Sequence, residues 1–128
     1  MVDIATKVID ASALIAVIFG EAAADMVAVR VRGCALVAPA ILDFELINVC
    51  ISKIRRTPAD RDRLLTAYRA RWTMTVETMD VDHTAVLALA QRTRLTGYDA
   101  SYLHLARTLE VELVTLDRQL AEAAEKFQ

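Results

Sequence analysis

Short apolar runs alternate with longer amphipathic stretches along the 128 residues, and the changes of period mark the elements. The first run climbs to Ile9, meets a carboxylate at Asp10 and turns apolar again from Ala13 to Phe19. A strand buried on both faces reads as a continuous apolar run, and a helix opening directly after it favours Asp or Ser at its cap. A strand is therefore expected from about Ala5 to Ile9 and a helix from Ser12 to Phe19. Asp10 then falls at the carboxyl end of the strand, where open α/β sheets place their ligands. Gly20 breaks the helix, and Glu21 to Arg32 reads as a second one. Cys34 to Val37 is a short buried strand, with Pro39 as an early residue of the next helix.

That helix, Pro39 to about Arg55, is apolar nearly all the way round through Ile41, Leu42, Phe44, Leu46, Ile47, Val49, Cys50, Ile51 and Ile54. It is predicted to be largely buried. Thr57-Pro58-Ala59-Asp60 has capping-box spacing and launches an Arg-rich helix to about Arg71, with Leu64, Leu65, Tyr68 and Trp72 as its apolar stripe. Thr73 to Met79 alternates and is β-branched, which predicts a strand. Asp82 to Arg94 is an amphipathic helix with Val86, Leu89 and Ala90 inward. Thr96 to Asp99 repeats the capping-box spacing and opens a helix to Leu109. Glu112 to Thr115 is the last strand, and Asp117 starts the terminal helix. The alternation predicts an α/β fold in one domain, 1–128: a parallel sheet of four to five short strands flanked by about seven helices.

Composition sharpens this picture in three ways. Hydrophobic residues make up 55% of the chain and mean hydropathy is +0.34, yet no apolar run approaches the roughly 20 residues that span a bilayer. Asp10 also interrupts the only stretch resembling a leader. A cytoplasmic protein without membrane attachment is expected, its surplus apolar surface serving a partner or self-association. Cys34 and Cys50 lie in apolar surroundings with no CxxC, and they read as small hydrophobes rather than zinc ligands. Net charge is −2, but Lys53 to Arg71 carries seven basic residues against two acidic ones. That stretch is either a solvated helix face or a polyanion-facing edge, with Arg55, Arg56, Arg61 and Arg63 as contacts to a nucleic-acid backbone.

Four carboxylates fall at sheet-top or helix positions: Asp10, Glu45, Asp99 and Asp117. Asp10, Asp99 and Asp117 each have a plain reading as helix caps or first-turn acids. Glu45 does not, because it stands in mid-helix on an apolar segment, where a buried carboxylate pairs, binds a metal or takes a proton. Asn48 sits one turn after it, whereas Asp43 reads as a first-turn acid. Oxygen ligands without nitrogen or sulfur suit Mg²⁺ or Mn²⁺, and a cation relieves the repulsion within the cluster. His104, five residues after Asp99, reads as a surface or satisfied histidine, and His83 has no role. Tyr98, Tyr102 and Trp72 serve packing or stack on bases.

VIDASAL with Asp10, FELINV with Glu45 and Asn48, GYDASYLHLA with Asp99 and LVTLD with Asp117 together resemble the PIN-domain ribonuclease toxins of the VapC type. The likeness runs through the whole chain. It implies a PIN-like three-layer fold and a Mg²⁺- or Mn²⁺-dependent endoribonuclease that hydrolyses structured RNA. It also implies a cognate VapB-type antitoxin and a larger toxin–antitoxin complex, while the apolar surplus suggests that a homodimer and an antitoxin segment cover exposed helices. Asp10, Glu45, Asp99 and Asp117 become the acidic quartet: Asp10 and Asp99 as direct metal ligands, Glu45 as a ligand or positioner of the attacking water. Ser12, Asn48 and Thr115 take supporting positions. Arg118, directly after Asp117, is placed to pair with it or to contact a phosphate. Two other readings stand beside this one: a receiver-like phospho-acceptor signalling domain, for which a Lys after a late strand is missing, and a catalytically inactive PIN-like binding module.

Overall fold

The structure, a computed structural model, describes residues 4–127. Four parallel strands, β1 (Thr6–Ile9), β2 (Ala35–Pro39), β3 (Val76–Met79) and β4 (Glu112–Val114), form one sheet in the order β3-β2-β1-β4. Seven helices connect and flank them: α1 (Ala11–Ile18), α2 (Ala24–Val31), α3 (Ile41–Arg56), α4 (Arg61–Arg69), α5 (His83–Thr93), α6 (Gly97–Leu109) and α7 (Arg118–Phe127). Two short 3₁₀ turns, Pro58–Asp60 and Ala70–Thr73, bracket α4. The α/β expectation holds.

Helix α6 is central to the packing. It lies against β1, β2 and β4 and between α5 and α7, and Ala100, Leu103, Leu105 and Ala106 bury nearly all their surface. Burying a leucine is worth about 1.5–3 kcal/mol, so α6 contributes much of the core. A second group gathers α1 and α2, with α2 touching β4, and α3, which touches α1 and β2. The N-terminal caps chosen by sequence at Asp10 and Thr96 are made, Asp10 accepting the Ala13 N–H and Thr96 that of Asp99, and Asp82 adds a further cap by accepting the Ala85 N–H. The Thr57 box is not; its side chain caps nothing, and a 3₁₀ turn carries the chain into α4.

Three expectations fail on packing. Pro39 ends β2 opposite Met79 instead of opening α3; the last position of a strand tolerates a missing N–H. In α3 only Leu42, Leu46 and Cys50 are buried, while Phe44 is 66% exposed and Ile47 and Ile51 38%. The helix rests on the core along one stripe and presents an apolar face outward. Trp72 is 60% exposed, because a 3₁₀ turn has replaced the helix whose stripe it was to complete. No described helix is long and apolar enough to cross a membrane.

Candidate active site

The sheet places two of the four acids. β1 and β4 run side by side with Ile9 opposite Val114. Asp10 and Thr115, leaving those strands, therefore emerge as neighbours although 105 residues separate them. Thr115 Oγ1 donates to Asp10 Oδ2. Ser12 Oγ donates to Asp10 Oδ1 at 2.7 Å, and the Ala13 N–H reaches the same oxygen at 3.0 Å. Thr115 accepts the Asp117 N–H at 3.0 Å, and Ser12 accepts the Leu116 N–H at 2.9 Å. Asp117 Oδ1 accepts the Leu120 N–H at 2.9 Å, and so stands at the entry to α7. Asp10, 3% exposed, is thus fixed from three directions, and its capping role and its place in the cluster coexist.

Helices α3 and α6 bring the other two. Asp99 and Tyr102 share one face of α6, one turn apart. Tyr102 is fully buried apart from its hydroxyl's partner: Tyr102 Oη donates to Glu45 Oε1 at 2.8 Å. That bond ties α3 to α6 at the level of the acids. The Asp99 N–H bonds Thr96 Oγ1 at 3.1 Å, while its carboxylate accepts no hydrogen bond from the described residues.

Electrostatics link the groups. Burial raises the Asp10 pKa above the ordinary aspartate value, with Asp117 adding repulsion, against the pull of three hydrogen bonds. Burial raises Glu45 as well, and then Asp99 and Asp10 do so by repulsion, opposed by the Tyr102 bond. Asp99 is raised by burial first, then by Asp117 and Asp10. The Tyr102 hydroxyl is driven far above its usual range by burial and by Glu45, so it stays a donor.

Among the described residues no three Asp, Glu, His or Cys side chains are grouped so that they could hold a metal ion. The donor chemistry nevertheless suits a hard divalent cation. Asp99 offers both oxygens, while Glu45 and Asp117 each keep one that accepts no hydrogen bond. All are oxygen donors.

The remaining sequence candidates separate clearly. Ser12 and Thr115 belong to the Asp10 network. Asn48 is exposed one turn after Glu45 and joins no hydrogen bond with the described residues. Arg55 and Arg56 are exposed at the end of α3, about 16 Å along the helix from Glu45 at 1.5 Å per residue. Arg61 and Arg63 are exposed and hold Asp62 and Asp60 at 3.3 and 3.0 Å. Lys53 pairs with Glu21 at 3.0 Å. Arg71, counted with that basic stretch, is 4% exposed. Its Nε grips Asp43 Oδ1 at 2.8 Å, and its guanidinium also bonds the Met74 and Val76 carbonyls. Arg71 and Asp43 are thus a buried brace, not a surface charge and a simple first-turn acid. Arg118 pairs with Glu122 at 3.2 Å, not with Asp117. His104 lies 3.4 Å from Thr108 on the flank of α6, and His83 is exposed. Sequence reasoning gave Tyr102 packing or base stacking, and it is packed, but its bond to Glu45 was missed; its i, i+3 spacing from Asp99 was the available signal.

A family model described as the PIN domain matches residues 7–126. VapC ribonuclease Mb0985 of Mycobacterium bovis is 33% identical over 123 residues, 92% of this chain and 91% of that protein. Ribonuclease VapC9 of Mycobacterium tuberculosis matches with the same identity and coverage. The crystal structure of PAE2754 from Pyrobaculum aerophilum superposes with a TM-score of 0.77 at 25% identity, covering 94% of this chain and 81% of that one. With acids from four separate segments meeting at one end of a parallel sheet, and with these matches along nearly its whole length, this chain belongs to the PIN-domain family, alongside relatives named as VapC ribonucleases.

Proposed function

We propose that this chain, as a single domain over 1–128, is a Mg²⁺- or Mn²⁺-dependent endoribonuclease toxin of a type II toxin–antitoxin module, hydrolysing phosphodiester bonds of structured RNA in the cytoplasm. The observation that carries the reading is the convergence of Asp10, Glu45 and Asp99 from three elements, each electrostatically coupled to at least one of the others. A folded protein holds such a group together at a stability cost unless a cation uses it.

When bound, the divalent ion supplies positive charge that polarises a phosphoryl oxygen and lowers the pKa of a water. Asp10 and Asp99 hold that charge, with Asp117 at its edge. Asp10 is the fixed member, since Thr115, Ser12 and the Ala13 N–H set its orientation. Glu45, steered by Tyr102, orients the attacking water and accepts its proton. The water oxygen forms the new bond to phosphorus as the opposite RNA oxygen departs. Arg55, Arg56, Arg61 and Arg63 draw the RNA backbone toward the site. The names of its relatives and the outward apolar face of α3 support a homodimer and a VapB-type antitoxin partner in a larger complex.

The test is cleavage of total RNA with added Mn²⁺ by the purified chain and by Asp99→Asn. The variant is expected to keep its fold and lose cleavage by about 10³-fold or more, several kcal/mol of transition-state stabilisation. Wild-type cleavage rates in folded Asp99→Asn, or full activity in chelator, would overturn the reading.

A further inference from the structure

We infer that a cavity at the same sheet edge as the acids, lined by none of the four but by residues near two of them in sequence, is a nucleobase subsite, which seats one base of the RNA beside the phosphate being cut. This rests on the ribonuclease reading and adds to it where sequence selectivity resides. The cavity, about 260 Å³, opens at the carboxyl ends of β2 and β3, among the starts of α3, α5 and α6. Ligands of open parallel sheets bind on that edge. Its neighbours in sequence place it beside the chemistry: Tyr98 directly precedes Asp99, and Ile41 lies one helical turn before Glu45.

The lining matches a base. Ile41, Met79 and Val86 supply apolar surface for a ring face, while Asp80 and His83 bring polar groups for a ring edge. Tyr98, 61% exposed, offers its own ring for stacking, the way single-stranded bases are held. The size selects too. Pockets for drug-sized ligands run from about 300 to 1,000 Å³, so this one takes a planar ring and leaves sugar and phosphate outside, toward the acids. Gly97 sits at the mouth, where a Cβ would meet nothing within 4 Å. A side chain added there obstructs entry without disturbing the core.

Two measurements test this. In the first, methyl NMR signals of Ile41, Met79 and Val86 are followed in the whole chain during titration with adenosine and uridine 5′-monophosphates, with ribose 5-phosphate as the base-free control. The nucleotides are expected to move these signals and ribose 5-phosphate to leave them still; Gly97→Leu and Tyr98→Ala should remove the response. In the second, a pool of RNA hairpins with a randomised ten-nucleotide loop is cut with Mn²⁺ and the fragment ends are sequenced. The wild type should show a base preference at one position flanking the cut. Tyr98→Ala should erase it and raise KM by roughly tenfold to a hundredfold, the range of base–aromatic stacking, with kcat much less changed. Tyr98→Trp should restore both. Equal shifts with ribose 5-phosphate, or an unchanged preference in Tyr98→Ala and Gly97→Leu, would overturn the subsite. Base-specific shifts without any RNA cleavage leave the subsite standing and remove the ribonuclease reading; cleavage without base-specific shifts does the reverse.

Discussion

The half of the site on the sheet and the half on the helices are held in different ways. On the sheet side, Asp10 accepts hydrogen bonds on both oxygens from partners that are themselves bonded onward to Leu116 and Asp117. On the helix side, Glu45 has the single Tyr102 bond and the Asp99 carboxylate has none among the described residues. The first half is a rigid floor set by strand register. The second half can adjust its carboxylates by rotamer alone. In the proposed metal-dependent nuclease, such a site would be anchored on one wall and closed from the other, which joins preorganisation to the tolerance that an exchangeable ion requires.

Variants of the two halves can break that contrast. The largest effect is expected from Thr115→Val, which strips a buried carboxylate of a hydrogen bond and the Asp117 N–H of its acceptor. A loss of roughly 1.5–3 kcal/mol in denaturant unfolding is expected, together with severe loss of cleavage. Tyr102→Phe keeps the buried ring and removes one bond, so stability should fall by only about 1 kcal/mol while cleavage falls about 10–100-fold. A Tyr102→Phe protein less stable than Thr115→Val would reverse the assignment of rigid and adjustable halves.

Acid dependence gives a further test. Asp10, Glu45 and Asp99 have raised pKa values in the fold, so they bind protons more tightly folded than unfolded. Their favourable share of stability is complete below the ordinary carboxylate range, about pH 4, and is lost as pH rises through the raised values. On the proposed metal-dependent reading, Mn²⁺ competes with those protons. The rise in Tm it produces should therefore be larger at pH 7.5 than at pH 5, corresponding to a stabilisation of about 2–3 kcal/mol at a hundredfold excess over Kd. A larger rise at pH 5 would rule out these carboxylates as the ligands. The smallest effect belongs to the remote arginines: Arg55→Ala with Arg56→Ala should leave kcat unchanged and reduce the salt slope of single-stranded RNA binding by about 0.7 per lost phosphate contact.

The acids were legible because local rules put them where they are. An Asp after an apolar run and before a helix is a strand end and a cap at once, and Glu45 stood out as a charge without local justification. What escaped the sequence depended on distant partners. The Tyr102 hydroxyl finds Glu45 across 57 residues, and only its i, i+3 spacing from Asp99 hints that it faces the site. Arg71 looked like one more surface charge until Asp43 and two carbonyls closed around it. Periodicity also overstated burial on α3: an apolar face says that a residue avoids water, not which surface will cover it. Phe44, Ile47 and Ile51 remain outward in the single chain.

Joining β1 to β4 has a consequence for the order of events during synthesis. Asp10 leaves the ribosome early with Ser12 close behind, yet the second hydroxyl that orients it is translated 105 residues later. Until then the first strand has no neighbour on that side, and its carboxylate has nothing to fix its direction there. A message cut short before β4, or a nascent chain still in the exit tunnel, yields a product that cannot complete this floor.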